Sequence, residues 1–476
     1  MNALIGPRRF ALVSVVFGLA MAVPRAHASP NMVDPTFDAG IGLNTDYPAG
    51  EGLALAIAAD GNILVGGVFS GVAGQPRTNL ARLHPDGKVD EDFVAGPLTM
   101  WGVSLVVPGL AGECLVAGPS TLHPWWALER VDASGIPNAE FRANYGRLGF
   151  TYDQPIRQVA VQADGRILVA GPFVVTDADT GIVRRGVVRL YPNGKLDASW
   201  DLGNVTGAAG VMDIGQTADG LVVVVGDFTA IAGQPRKYIA RLSASGGFDA
   251  SFVTANLDET FKLSHVGIRD LRLHSDGTMI IVPEAQVGAG NVTYLARLRA
   301  DGNVDTAFQA TYLEDQAHAL ALQRDGKVLT SENRSSEGFL MGWFRRRTNA
   351  GIWDPVFPPN YAPWSFNNGI VRAMAVQADG GIVIAGRFTL QDARGSSRHG
   401  IARLNPLYLV EPDRPVGQPS TLHLVGEPNR HYEVLGSSDL KAWTVITNFV
   451  STNDVTVIRD AINGPGHRSY NARQLE

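Results

Sequence analysis

The sequence predicts an all-β protein: a seven-bladed β-propeller of four-stranded antiparallel blades, closed by its own N-terminal strand and followed by a small β-sandwich. Three observations carry that expectation. A strand–turn–strand pattern recurs about every 54 residues, and a fixed period of that length, all strand and turn, marks a stack of like β units. Its turns are Asp60-Gly61, Asp164-Gly165, Asp219-Gly220, Asp276-Gly277, Asp325-Gly326 and Asp379-Gly380, with a worn copy at Ala111-Gly112. Each unit also ends on a motif of the form Asp-x-x-Phe, and the one copy missing from the last unit stands at the other end of the chain.

The chain opens on an address. Arg8 and Arg9 precede an apolar stretch, Ala11 to Val23, and Ala26-His27-Ala28 has the form of a cleavage site. Residues 1–28 therefore read as a secretory signal, and the apolar stretch is too short to span a bilayer. Its removal takes three arginines and no acid, so the formal charge falls from −6 to −9. A mildly acidic surface without a basic block argues against nucleic acid or an anionic membrane as partner. With Cys114 as its one cysteine, an exported chain must hold together without an intramolecular disulfide. Cys114 itself stands where other copies have Ile, and reads as a buried small hydrophobe.

Within a unit, a large apolar side chain stands five residues before the turn: Leu55, Val159, Ile214, Leu271, Leu320, Met374. The next position is small (Ala56, Ala160, Gly215, Ala321, Ala375), with Arg272 the exception. Period-two alternation is a strand signature, and large against small lets adjoining sheets nest. Asp-Gly is expected to form a two-residue hairpin turn with both residues at positive φ. The second strand, Ile63 to Phe69 in the clearest copy, is continuously apolar, as when both faces are covered. A third strand ends on Arg-Leu (82–83, 189–190, 241–242, 297–298, 403–404), and a second turn leads to a short fourth strand. The recurring Asp of the closing motif is expected to cap a neighbouring strand or pair with the recurring Arg.

The closing motifs are Asp90-x-x-Phe93, Asn138-x-x-Phe141, Asp197-x-x-Trp200, Asp249-x-x-Phe252, Asp305-x-x-Phe308 and Asp354-x-x-Phe357. The seventh unit stops at Arg403-Leu404 without one, and Val33-Asp34-Pro35-Thr36-Phe37 supplies the piece. The mature N-terminus is thus expected to complete the last blade and leave no unpaired edge. Residues 29–406 form this domain.

The same residues carry a family resemblance. The pattern V-x-x-x-x-D-G-k-I-l-V-x-G-x-F … A-R-L-x-x-D-G-x-x-D-x-x-F resembles the delta-60 repeat family of bacterial β-propeller-type proteins, most closely at Leu53 to Phe93, Val159 to Trp200 and Met374 to Leu404. Copies at Val103 to Phe141 and His318 to Phe357 are degraded. The resemblance implies an exported or surface-exposed repeat protein and carries over no catalytic residue.

After Pro406 the repeat stops. Residues 407–419 read as a proline-bearing linker, and 420–476 as short strands that resemble a carboxy-terminal β-sandwich module of exported bacterial proteins, with Trp443 as core anchor. A spacer, a surface-attachment unit and a secretion aid stay open for it.

Chemistry is sparse by comparison. The histidines do not recur at ligand spacing, and no hydrolase, phosphate-loop or zinc motif is present. Asp177 and Asp179 in Asp177-Ala178-Asp179-Thr180-Gly181 resemble the start of a calcium loop but lack the distal Glu. The duplicated loops Gly74-Gln75-Pro76-Arg77 and Gly233-Gln234-Pro235-Arg236 read as turns with a solvated Arg. The variable connections between blades carry aromatics, and Trp101, Tyr145, Tyr152, Tyr312, Tyr361, Trp364 and Phe366 are the candidate ligand-binding residues. Such rings stack on sugars or dock a protein when exposed, and plug the blades when folded inward.

The expected function is an exported, non-catalytic binding or surface scaffold, secreted or at the cell surface with the periplasm open, monomeric and without cofactor. Its expected partner is an extracellular protein or polysaccharide. Two rivals are a propeller hydrolase or lyase acting on a polymer, and a purely structural surface protein. Three or more acids or histidines converging at the channel mouth mark the enzyme.

Overall fold

The computed structural model describes residues 33–475 apart from 35, 38, 40–42, 45–49, 122–125, 151–154, 204, 208–209, 254–256, 258–260, 262–266, 288–289, 314–315, 337–338, 355–356, 358–368, 392–396, 405–407, 411–420, 426–430, 438–443, 453–454 and 460–468. The expected signal, 1–28, and most of the linker lie outside the described residues.

Every sequence repeat folds as one antiparallel sheet. Repeat 1 pairs Glu51–Ile57 with Ile63–Val68 and then Leu80–Leu83. Repeat 3 pairs Gln158–Val161, Ile167–Asp177 and Val183–Leu190, and repeat 5 pairs Ile268–Leu273, Met279–Val287 and Gly290–Leu298. Repeats 2, 4, 6 and 7 follow the same order. The chain is all-β and propeller-like. First strands of successive repeats lie side by side in chain order, and the first strand of repeat 7, Ile370–Val376, lies against Glu51–Ile57 of repeat 1. Among the described residues no helix is long and apolar enough to cross a membrane.

The core lies between sheets. One buried cluster joins Leu329, Phe344 and Phe357 of repeat 6 to Ile382, Ile384 and Leu404 of repeat 7. Another joins Phe37, Val65 and Leu83 to Val383 and Ile401. Large side chains of one sheet thus enter the small-residue column of the next, as the alternation requires.

Two local expectations are corrected. In the intact repeats the turn is one residue longer than a two-residue hairpin. Gly61 N–H donates to the Ala58 carbonyl at 2.9 Å, and Ala58 N–H to Asn62 at 2.8 Å. Only the glycine takes positive φ, at 85°, because the Asp carboxylate instead accepts the Asn62 N–H at 3.0 Å. That is a type I turn with a glycine bulge. The worn copy alone has the expected form, with Ala111 at φ 53° and Gly112 at φ 80°.

The fourth strand, too, shrinks to a single bridge, such as Leu83↔Val89, Leu242↔Phe248 or Leu298↔Val304. The closing motif cuts it short. Asp90 N–H donates to Arg82 O at 2.9 Å, and Phe93 N–H turns back onto Asp90 O at 3.4 Å. Backbone that has folded on itself has no donors left for a ladder. The last repeat has the same bridge from the other terminus: Val33 pairs with Leu404, and Asp34 N–H donates to Arg403 O at 2.9 Å.

Beyond the repeats stand two three-stranded sheets, Tyr408–Val410 with Thr421–Val425 and Val455–Arg459, and His431–Ser437 with Thr444–Val450 and Ser469–Leu475. Leu424 and Ile458 of the first share a core with Tyr432 and Val434 of the second. Tyr408–Val410, expected in the linker, is therefore strand. Trp443 lies outside the described residues.

Candidate functional site

The aromatic connections divide. Trp101 is 71% exposed; its backbone is fixed between repeats, with its N–H on Pro119 O at 2.9 Å and its carbonyl accepting from Asn79 Nδ2 at 3.1 Å. Tyr312 is 51% exposed and meets Tyr294 edge-on at 6.3 Å, which in turn packs at 6.0 Å on the buried Phe261. Tyr145 faces the other way. It ends the helix Ala139–Tyr145 and is buried between Phe141 and Phe150, so it plugs its repeat and offers no face to a ligand. Tyr152, Tyr361, Trp364 and Phe366 lie outside the described residues.

The calcium candidates are held apart by other partners. Asp177 accepts from Asp179 N–H at 3.1 Å and from the Thr180 hydroxyl at 2.8 Å. Asp179 is engaged by Arg147 Nε at 2.6 and 2.7 Å. No group of three or more metal-ligating side chains occurs among the described residues. Arg77, expected to be solvated, is buried and donates to Pro76 O at 2.8 Å and Asp90 O at 3.3 Å.

The Arg and Asp of each repeat form one clasp. Arg82 Nε meets Asp90 at 2.7 Å, and the distances for Arg189–Asp197, Arg241–Asp249, Arg297–Asp305 and Arg346–Asp354 are 2.9, 2.7, 2.7 and 2.8 Å. Each guanidinium also covers the motif's ring, 4.7 Å from Phe93 and 5.7 Å from Trp200. The worn repeat rearranges it: Asn138 caps the helix through Phe141 N–H, and Arg130 takes Glu113 instead at 2.5 Å. A second arginine nitrogen reaches the next repeat, Arg189 to Ala244 O at 2.7 Å and Arg241 to Ala300 O at 2.6 Å. Arg403 reaches Pro85 O of repeat 1 at 3.2 Å. These clasps hold the sheets; they leave no group free for chemistry.

Sequence reasoning missed a polar cluster on the first strands of repeats 4 and 5. Its signal was Arg272, the one large residue in the small column. Arg272 Nη1 sits 2.5 Å from Asp270 and 3.3 Å from Asp213 on the neighbouring sheet, while its Nε donates to Leu320 O at 3.2 Å. One side chain thus ties three consecutive repeats. Asp213 is buried and accepts Leu271 N–H at 2.9 Å and Ile214 N–H at 2.7 Å. Burial, then the Asp270 charge, pushes its carboxyl up to about 7 against the opposing pull of Arg272.

In front of this cluster runs a column set by a repeated bulge. The ladder slips between Gly52 and Ala54, Val211 and Asp213, Ile268 and Leu271, Ala317 and Ala319, and Val371 and Ala373. In repeat 3, Ala170 pairs with Gln158 and its carbonyl also accepts Arg157 N–H at 2.8 Å. A bulged residue leaves the ladder and is re-aimed. The column therefore holds Leu53, Arg157, Met212, Arg269 and Arg372. Arg269 meets Glu284 at 2.9 Å and Arg372 meets Glu51 at 2.9 Å.

The model described as "Domain of unknown function (DUF5122) beta-propeller" matches residues 58–93, 162–199, 217–252, 274–308 and 377–406. The two repeats it passes over are the two degraded copies. No curated protein matches the chain. Among solved structures, the chain is similar to the extracellular domain of a putative hybrid two-component system from B. thetaiotaomicron, with 12% identity and a TM-score of 0.39. That match covers 82% of this chain and 45% of that one, so the chain spans under half its length. It is similar as well to a catalytically inactive virginiamycin B lyase from Staphylococcus aureus, with 12% identity over 76% of this chain and 97% of that one and a TM-score of 0.39. A calcium-binding protein, regucalcin, from Agrobacterium tumefaciens gives 13% identity, 62% and 85% coverage, and a TM-score of 0.30.

Proposed function

Since the chain carries five matched repeats of the DUF5122 β-propeller family and is a propeller-type repeat protein, we propose that it is an exported, non-catalytic binding scaffold. Its repeats form a seven-bladed ring that Val33 to Phe37 closes, and its connections present a face to an extracellular protein or polysaccharide. The two C-terminal sheets form a β-sandwich that serves attachment. What supports the ring is the succession of first strands, the last beside the first, together with the Arg403 bonds to Asp34 and Pro85.

The observation that carries the binding reading is the exposure of Trp101, whose backbone is fixed by Asn79, and of Tyr312, whose ring rests edge-on against Tyr294. An aromatic ring left open to water on a fixed backbone gains apolar contact on stacking. The test is a glycan and protein array probed with the mature chain and with Trp101→Ala/Tyr312→Ala. Signal that disappears in the double variant supports the reading; silence against every polysaccharide retires the sugar partner. Release of the chain into the medium on truncating 420–476 supports attachment.

Asp213 favours a second reading, a hydrolase or lyase on an acidic or neutral polymer, because a carboxyl pushed up to about 7 suits general acid work near neutral pH. Only two acids meet there among the described residues, however, and both bond Arg272. Polymer chain scission by the wild type that Asp213→Asn abolishes would establish it.

A further inference from the structure

An acid lies buried in repeat 2 at a place that five other repeats fill with Ala or Val. Glu129 immediately precedes the third-strand arginine, Arg130, where Ala81, Val188 and Ala240 stand in repeats 1, 3 and 4, and it is 1% exposed. Its Oε1 accepts both the Thr99 N–H at 2.6 Å and the Thr99 hydroxyl at 2.5 Å. Its Oε2 accepts Arg142 Nη2 at 2.5 Å, and the same nitrogen donates to Pro97 O at 3.0 Å. Three of these bonds end on residues 97 and 99, the segment that runs directly into Trp101. Further along, Thr121 N–H donates to Thr99 O and Trp101 N–H to Pro119 O, each at 2.9 Å, while Met100 between them is buried in a core with Phe93 and Ala127. A buried ion pair commonly adds less stability than the apolar side chains it displaces. What its hydrogen bonds add is a single geometry, where apolar contact alone admits several.

We propose that Glu129 is the positioning residue of Trp101: with Thr99 and Arg142 it holds the connection from which that ring stands out to water, so that the ring meets a partner in one orientation. The proposal rests on the binding-scaffold reading and deepens it, because it makes repeat 2 the unit built to carry the binding ring. Two departures of that repeat then share one cause. Asn138, in place of the closing Asp, caps the helix Ala139–Tyr145, the helix supplies Arg142, and Glu129 receives it. Intact repeats lack both groups, having Val94, Asp201 or Val253 at the place of Arg142. A contact residue whose backbone is fixed beforehand gives up less freedom on binding.

Fluorine NMR of the mature chain carrying 5-fluorotryptophan tests this, the Trp101 resonance being identified by Trp101→Phe. The proteins compared are the wild type, Glu129→Ala, which restores the residue of the intact repeats, Glu129→Gln, Thr99→Val, and Glu113→Gln as a control that removes the other acid paired in this repeat. Glu129→Ala should shift or broaden the Trp101 resonance and leave those of distant tryptophans in place. Thr99→Val and Glu129→Gln, which keep part of the bonding, should do so less, and Glu113→Gln not at all. Amide exchange across 97–101 should quicken in the same order. An unchanged Trp101 resonance in folded Glu129→Ala overturns the proposal, as does a change that reaches every tryptophan alike. Cellohexaose, xylohexaose and chitohexaose are then titrated calorimetrically, and a sugar bound by the wild type should bind about tenfold more weakly to Glu129→Ala. Binding that Trp101→Ala abolishes and Glu129→Ala leaves unchanged overturns the positioning role and keeps the scaffold reading. A displaced resonance with none of the three sugars bound by the wild type upholds the positioning role and counts against the sugar partner alone.

Discussion

Arg403 donates its Nε to the Asp34 carboxylate at 2.8 Å across 369 positions of the chain, in the geometry that Arg82 and Asp90 adopt across eight. The N-terminal segment therefore occupies the place of a local motif. Phe37 lies 5.5 Å beneath the Arg403 guanidinium, as Phe93 lies beneath Arg82. Two segments 369 positions apart are joined by the pairing that the other repeats make locally.

Breaking that clasp should cost more than breaking a local one. Asp34→Ala is expected to destabilise the chain by about 2 kcal/mol, since it leaves a mostly buried arginine without its acid. Deleting residues up to 37 should cost more and expose Leu404 and Ile384. Urea unfolding measures both. A peptide spanning residues 30–40 should restore stability to the truncated chain; equal stability of wild type and truncation would refute the seam.

Acid should loosen the clasps. Burial pushes the carboxyls of Asp34, Asp90 and Asp197 up, but the bonds from Thr36 and Arg403, from Arg82, and from Ser199 and Arg189 outweigh it and leave each below the ordinary 3.8. Such groups add stability above 3.8 that is lost as pH falls through their folded values. Melting temperature should drop below about pH 4, and Asp34→Asn together with Asp197→Asn should flatten that drop.

Asp213 has the opposite sign. Its carboxyl is raised to about 7, so the folded state holds a proton that the unfolded state has released, and stability falls as pH rises from 3.8 towards 7. Asp213→Asn should remove this slope while keeping Leu271 N–H satisfied. A melting-temperature profile unchanged by the substitution would dismiss the raised carboxyl.

Repeat 6 buries charge where its sisters are apolar. Arg347 stands where five other repeats have Leu and repeat 2 has Val131, fully buried, with Nη2 3.0 Å from Glu332 and Nη1 2.9 Å from Thr330. Glu332 in turn takes the place of a glycine that in repeat 4, Gly226, has a carbonyl 2.0 Å from where a Cβ would be. Arg347→Leu alone should cost about 3 kcal/mol, because it leaves the buried Glu332 with one of its two arginines, Arg345 at 2.9 Å. Adding Glu332→Gly should recover much of that loss in a double-mutant cycle.

Cys114 is buried, and burial raises its thiol to about 12. It should resist a thiol-specific disulfide reagent in the folded chain and react fully in urea. Rapid reaction without denaturant would place it at the surface.

The periodic part of the molecule was legible because its causes are local. Alternation of Leu55 and Ala56, the turn at Asp60-Gly61 and the Arg82–Asp90 pairing each lie within one repeat and recur. The turn's length was misjudged for a reason equally local, since the Asp side chain took the N–H of Asn62 and kept Asp60 out of positive φ. The candidate site was less legible. Trp101 and Tyr145 look alike as connection aromatics, yet the helix after Asn138 turns one inward, and only packing separates them.

By itself the sequence determined the repeat unit, its strand order and the residues of each clasp, for all of these depend on neighbours within about fifty positions. Only tertiary structure decided that Asp213, Asp270 and Arg272 meet. It decided as well that a bulge takes Arg269 out of the ladder. The meeting joins side chains of different sheets, and its distances are set by how sheets pack, which no periodicity within a single sheet records.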